Sequence, residues 1–336
     1  MITRIAVALD GSSLSEKALP YVYYLAKLLK AKLLLVQVSL WPPDSDGAIY
    51  FDSEAGVSPE DYLIKMRNIL TDPAKPWKFS SEEVQTKVVY KISIDDLGDI
   101  VSAEGADLLV MTTHGRSGLS LLFMGSFATG IVKHACLPVI LLRPDEAAIK
   151  GEVQPEATIA NPRVPLVIAT LDGSLAAEAC LVPASEICSQ LNTPLYLVEV
   201  VSPVSPLLLS PVGVGYPLTP YDEAKEILNL RHDAMLYLEQ IKSLLQSKYP
   251  LLKVERTVLV GEPAQQIEEY SRNIHPLFVA MATHARGELG QVLLGSVAEK
   301  VVRHSHQLVL LTRIPKGYQG YALSLEERKS GAVAGR

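Results

Sequence analysis

Ile5-Ala-Val-Ala-Leu-Asp10-Gly11-Ser12 decides the fold, because it returns later in the chain as Leu166-Val-Ile-Ala-Thr-Leu-Asp172-Gly173-Ser174. Each copy is a short run of branched apolar residues that ends in Asp-Gly-Ser, the pattern of a buried strand entering a tight turn. A second run, Leu33-Leu-Leu-Val-Gln-Val38, returns as Pro194-Leu-Tyr-Leu-Val-Glu-Val200, and both pairs share an offset of 162 positions. Further on, Leu108-Leu-Val-Met-Thr-Thr-His114-Gly115 matches Leu277-Phe-Val-Ala-Met-Ala-Thr-His284-Ala285, and Gly125-Ser126 matches Gly295-Ser296, now at an offset of 170. Self-similarity at a fixed spacing marks a duplicated structural unit. The eight extra residues fall between the second and fourth strands of copy two, where the uncharged stretch Ser202 to Tyr221 lies, so the insertion is assigned to that stretch.

Length agrees with duplication, since 336 residues suit two domains of roughly 150 residues each. Within copy one, Ile5 to Leu9, Lys32 to Val38, Val84 to Val89, Asp107 to Thr112 and Pro138 to Leu142 read as strands. Ser13 to Leu29, Asp61 to Leu70, Ile94 to Glu104 and Ser126 to His134 read as helices, the first opened by a Ser13/Glu16 capping box. Alternating strands and amphipathic helices predict α/β domains, each an open five-stranded parallel sheet with helices on both faces, of Rossmann-like type. The boundaries are 1–144 for domain 1, 145–162 for a linker of mixed charge, Ala, Gly and Pro, 163–314 for domain 2, and 315–336 for a flexible tail.

Composition excludes several classes. An apolar fraction of 48% with 20% charged residues describes a globular chain. A net charge of -6 argues against a broad nucleic-acid face. Ser202 to Tyr221 matches a membrane span in length, but Pro203, Pro206, Pro211, Pro217 and Pro220 would break a spanning helix repeatedly. The first residues read directly into a strand with no leader pattern, so the cytoplasm is expected. Cys136, Cys180 and Cys188 lack the close pairing of a zinc or redox motif and read as buried thiols.

In doubly wound sheets the ligand crevice lies beyond the carboxyl ends of the strands, where strand order reverses. Four segments of copy one converge there: Asp10, Val38, Met111 to Gly115, and Gly125-Ser126. A helix N-terminus behind a glycine offers free N–H groups to a phosphate. Asp10 offers acceptors to a ribose or an exocyclic amine, and Val38 an apolar wall to a base. Blander roles stand beside these. Asp10 and Asp172 can cap their turns, Ser126 and Ser296 can serve as N-caps, the latter with Glu299, and Val38 and Val200 can be core. His114 and His284 have no nucleophile or second carboxylate beside them in the sequence and read as structural.

His114-Gly115, nine intervening residues and Gly125-Ser126 resemble the phosphate loop of the universal stress proteins. Its full pattern in ATP-binding members is Gly, two residues, Gly, nine residues, Gly, then Ser or Thr. The resemblance covers residues 1–144 and 163–314. It implies base and ribose contacts at Asp10, Val38 and Met111, and phosphate contacts at Thr112, Gly115, Gly125, Ser126 and Phe127. In copy two it implies Asp172, Val200, Met281, Gly295, Ser296 and Val297. Thr112 replaces the first glycine of the loop, and Ala282 and Ala285 replace both leading glycines of copy two. If either position needs positive φ, a Cβ there costs on the order of 1–2 kcal/mol, which makes copy one the expected ATP site.

The resemblance implies a stress-response regulator that binds ATP, ADP or AMP, with Mg2+ as a companion of the phosphates. It also implies that the last strands, Leu137 to Arg143 and Gln307 to Arg313, close the copies into an internal pseudo-dimer, with homo-oligomers and a protein partner of unknown identity left open. Two alternatives stand: a slow ATPase or autophosphorylating enzyme, and a nucleotide-free scaffold acting through protein partners. The former has no P-loop lysine or kinase-type motif behind it.

Overall fold

Strands that are apolar along their whole length need cover on both faces, and a parallel sheet clad by helices supplies it. A computed structural model describes residues 1–39, 57–74, 79–90, 96–113, 125–143, 165–202, 220–283, 294–305, 307–314, 318, 320 and 321. The first repeat runs β1 (Arg4–Leu9), α1 (Ser13–Glu16), α2 (Leu19–Leu29), β2 (Lys32–Ser39), α3 (Pro59–Thr71), β3 (Val84–Tyr90), α4 (Leu97–Ala103), β4 (Leu108–Thr112), α5 (Ser126–His134) and β5 (Val139–Leu142). The second runs β6 (Val167–Leu171), a 3-10 turn (Ala177–Cys180), α6 (Leu181–Leu191), β7 (Leu195–Val201), α7 (Pro220–Lys248), β8 (Val254–Val260), α8 (Pro263–Ile274), β9 (Phe278–Thr283), α9 (Ser296–His304) and β10 (Val309–Arg313).

These strands form one sheet in the order β3-β2-β1-β4-β5-β10-β9-β6-β7-β8. Every neighbour within a repeat is parallel, and β1 pairs with β2 on one side and β4 on the other. Strand order therefore reverses between β1 and β4, and between β6 and β9, which is where a crevice opens. Along β1, Ile5, Val7 and Leu9 enter the core under α2 and α3, whereas Ala6 and Ala8 enter the opposite core under α4 and α5. Domain 2 divides its core in the same way.

The repeats meet through β5 and β10, the sole antiparallel pair among the described strands, with Leu310 opposite Ile140. Side contacts support this seam. The Arg313 guanidinium donates to the His134 carbonyl at the end of α5, 3.1 Å away. Gln190 on α6 reads the other repeat's backbone, accepting from the Ile2 N–H at 2.9 Å and donating to the Ile2 and Leu29 carbonyls at 2.8 Å.

Local departures from the sequence reading have identifiable causes. The predicted Ser13 to Leu29 helix divides into α1 and α2, since Pro20 has no N–H to return to the preceding turn. Its N-cap is Ser12, whose Oγ accepts from the Ser15 N–H at 3.1 Å, and not Ser13. The eight-residue insertion does not lie in the Pro-rich stretch. The segment ahead of the third-strand helix is 19 residues in repeat one and 18 in repeat two, while the helix grows from 13 to 29 and the following connection shrinks from 12 to five. Cys180 and Cys188 are buried and burial pushes both thiols up, but Cys136 is exposed beside Gly98. The tail is not uniformly loose after Ile314, because Tyr321 is completely buried and its N–H donates at 2.6 Å to the buried Glu178 carboxylate. Its ring packs in the domain 2 core, and its hydroxyl lies 3.4 Å from Ser185 Oγ. The 145–162 linker lies outside the described residues.

Candidate functional site in the paired crevices

Both Asp-Gly-Ser turns fold alike. Asp10 Oδ1 accepts from the Ser12 N–H at 3.0 Å and from its Oγ at 2.6 Å, and Asp172 Oδ1 accepts from Ser174 at the same two distances. Ser174 Oγ in turn accepts from the Ala177 N–H at 3.2 Å. Gly11 and Gly173 stand at φ 79° and 77°, so glycine answers a left-handed turn here. Turn capping therefore occupies one oxygen of each aspartate. Asp172 is exposed, and among the described residues its second oxygen has no protein donor.

On the face covered by α4 and α5, Met111 is buried, and half-buried Val38 and Phe127 pack against the same core. Met281, Val200 and Val297 repeat this arrangement in domain 2. Each repeat thus brings its Asp, Val, Met and first-turn helix residues to one end of its sheet. Thr112 is buried at the end of β4. Neither Thr112 nor Ala282 has positive φ, so backbone strain is not what separates the two repeats at these positions. Gly115, Ala285, His114 and His284 lie outside the described residues.

Gly125 and Gly295, and not the serines after them, are the N-caps of α5 and α9, and neither cap supplies a side-chain hydrogen bond. Ser126 and Ser296 are the first helical residues, which corrects their reading as N-caps. Glu299 pairs with Arg303 one turn on instead of completing a capping box. Without a side-chain cap, first-turn N–H groups of this kind suit an incoming acceptor. A difference follows: the first turn of α5 contains no acid, whereas that of α9 contains Glu299. Gly125 approaches β4 closely, donating its N–H to the Thr113 carbonyl at 3.0 Å, and a Cβ built on it would stand 3.3 Å from that oxygen.

The described residues also line an open crevice of about 120 Å³ in domain 2, with Val200, Ile267, Met281 and Val297 among its lining residues and exposed Asp172 at its edge. Three of its contributors escaped the sequence reading. Pro263 and Ile267 come from α8, after the third strand, and Ile314 follows the fifth. The rule that every strand's carboxyl end feeds the crevice could have found them. Glu199 was also missed. It corresponds to Gln37 at the 162-residue offset, and one of its oxygens is buried without a partner. Burial, and then the nearby Asp172 charge, push its carboxyl up to about 7.

With this geometry established, the family model described as the Universal stress protein family matches residues 1–143 and again 166–313. The chain belongs to the universal stress protein family. Universal stress protein Rv2005c of Mycobacterium tuberculosis is 24% identical over 319 residues, 92% of this chain and 96% of that protein. Rv2623 of the same organism is 24% identical over 316 residues, with the same coverage. Among solved structures, a functionally unknown Pseudomonas aeruginosa protein aligns over 98% of both chains with a TM-score of 0.56 at 16% identity. A universal stress protein from Archaeoglobus fulgidus covers 93% of this chain and 98% of its own, with a TM-score of 0.54 at 16% identity. These two establish the shared two-repeat fold. Universal stress protein architecture thus accounts for both repeats.

Among the described residues, no group of three or more His, Cys, Asp or Glu side chains is placed to hold a metal ion. No described helix is long and apolar enough to cross a membrane.

Proposed function

We propose that the chain is a cytoplasmic stress-response regulator that holds an adenine nucleotide, ATP or its ADP or AMP products, in domain 1. The observation that carries this reading is the first turn of α5. Its N–H groups have no side-chain cap and no acid beside them, and it opens next to Val38, Met111 and Asp10 at the reversal of strand order. The helix N-terminus favours the negative phosphates, the Val38–Met111–Phe127 face favours an apolar base, and the Asp10 carboxylate favours hydroxyl or amine donors. Gly125 admits the phosphates close to the backbone. Mg2+ enters with the phosphates, which supply its ligands. The family-matching position Gly115 belongs to the same proposal.

The test is to incubate the full chain with ATP and Mg2+ labelled at the γ-phosphate, then separate bound from free nucleotide and identify each. Retained, unchanged ATP supports the regulator. Released phosphate or labelled protein replaces it with an ATPase or autophosphorylating enzyme, and absence of bound label replaces it with a scaffold.

A further inference from the structure

The two repeats fill the core between α2 and α3, and between α6 and α7, from different sources. In repeat one Tyr23 on α2 is buried with its ring centre 6.2 Å from that of Phe79, and the Lys27 ammonium stands 3.8 Å from the Phe79 ring centre. In repeat two the position matching Tyr23 at the 162-residue offset is Ser185, while Phe79 is matched at the 170-residue offset by Tyr249. A serine in place of a buried ring leaves a gap that close packing does not tolerate. Tyr321 fills it. Its side chain is completely buried with the hydroxyl 3.4 Å from Ser185 Oγ. The Lys248 ammonium lies 4.9 Å from the Tyr249 ring centre and 5.9 Å from that of Tyr321, so a cation again accompanies the ring pair. Domain 2 thus takes from the C-terminal arm a side chain that domain 1 takes from a helix.

The arm also reaches the crevice edge by a short path. The Tyr321 N–H donates at 2.6 Å to Glu178, which belongs to the 3-10 turn Ala177–Cys180 and matches Glu16 of repeat one. At the head of that turn the Ala177 N–H donates to Ser174 Oγ at 3.2 Å, and Ser174 Oγ donates to Asp172 Oδ1 at 2.6 Å. Asp172, Ala176 and Ala177 line the domain 2 crevice, and so does Ile314, where the arm departs from β10. The arm lies at a chain end, whereas β9 is paired on both sides, with β6 and β10. Segments of the first kind open at lower free energy than strands in the middle of a sheet. We infer that the Gly320–Tyr321 arm is a detachable latch seated in a domain 2 socket: docked, it fixes the 3-10 turn and the Asp172 edge of the crevice, and it releases that edge by leaving while the rest of domain 2 stays folded. Capture of the arm by a partner is thereby felt at the crevice.

Hydrogen exchange on the full chain tests the latch without any added ligand. It is followed at the amides of Tyr321, of Ala179, which donates to the Ala176 carbonyl at 3.2 Å, and of Val279 in β9, which donates to the Leu308 carbonyl at 2.9 Å. Tyr321 and Ala179 should exchange together and at least roughly tenfold faster than Val279, because the latch opens below the free energy of global unfolding. Gly320 stands at φ 101°, and a Cβ there would lie 2.8 Å from Leu175 Cδ2. Gly320→Ala therefore strains the arm while leaving the ring, the socket and Glu178 in place, and should raise Tyr321 and Ala179 exchange by a common factor of about ten. Adding Ser185→Tyr to Tyr321→Ala returns the ring to the helix position it has in domain 1, and should recover about half of the urea midpoint lost in Tyr321→Ala alone. The inference is overturned if Tyr321 exchanges no faster than Val279, if Gly320→Ala speeds Tyr321 while Ala179 keeps its wild-type rate, or if Ser185→Tyr lowers the midpoint further. Should Gly320→Ala not fold, the wild-type rates at Tyr321, Ala179 and Val279 still decide.

Discussion

Glu199→Gln should change how the stability of domain 2 depends on pH. In the folded chain Glu199 is half-buried, with one carboxylate oxygen buried and unpartnered, and burial followed by the Asp172 charge lifts its carboxyl from the ordinary 4.5 to about 7. The Glu178 carboxylate and the Tyr237 hydroxyl, hydrogen-bonded to each other at 3.3 Å, occupy the same end of the sheet. A carboxyl whose folded value lies above its unfolded one holds its proton more tightly in the native state. Its contribution is therefore complete below pH 4.5 and lost as pH rises to about 7. At about 1.36 kcal/mol per pH unit the ceiling is roughly 3 kcal/mol, and solvent screening of a half-buried group reduces it to about 1.5 kcal/mol. Gln has the same shape, occupies the matching position 37 in domain 1, and does not titrate. Scanning calorimetry at pH 5 and pH 8 should show the domain 2 transition of wild type falling about 4 °C further than that of Glu199→Gln, at roughly 2–4 °C per kcal/mol. Any fixed cost of burying an amide appears at both pH values and cancels. Equal shifts in the two proteins would refute the reasoning.

Three further changes probe other parts of the fold. Gly98→Ala places a Cβ 2.7 Å from the Ala135 Cα, so it should destabilise domain 1 by about 1–3 kcal/mol, read from a lowered urea midpoint. Tyr321→Ala removes a fully buried ring and should cost domain 2 about 3–5 kcal/mol, while truncation after Ile314 should cost a similar amount, both measured by urea unfolding. Leu310→Ala hollows the seam opposite Ile140, at about 2–5 kcal/mol. It should lower the temperature at which both domains unfold, read by scanning calorimetry.

How far the sequence revealed this depends on where the stabilising contacts lie. Strands such as Leu108–Thr112 and Val167–Leu171 were legible because burial on both faces demands unbroken apolar runs. The duplicated Asp-Gly-Ser turn was legible because both its positive-φ glycine and its capping serine are dictated locally. The length of α7 was not, since an insertion is visible in the sequence only as a change of offset, and the conspicuous prolines attracted it to the wrong segment. Tyr321 was hidden because its burial rests on Glu178 and Ser185, 143 and 136 positions away, with no periodicity around it. Glu199 looked like one more position in a repeated strand. Its importance comes from burial and from Asp172, a neighbour that only folding brings near. At the crevice, Asp10, Val38, Met111 and Gly125 could be placed from strand ends alone, whereas the contrast in charge between the first turns of α5 and α9 needed the caps themselves.

Titration calorimetry of the full chain with ATP and Mg2+, beside Gly125→Val and Gly295→Val, tests the central claim most directly. The account predicts one nucleotide per chain, lost in Gly125→Val, where the added side chain crowds the Thr113 carbonyl and the phosphate approach, and retained in Gly295→Val. Binding that survives Gly125→Val and disappears in Gly295→Val, or no binding of any adenine nucleotide, would contradict it.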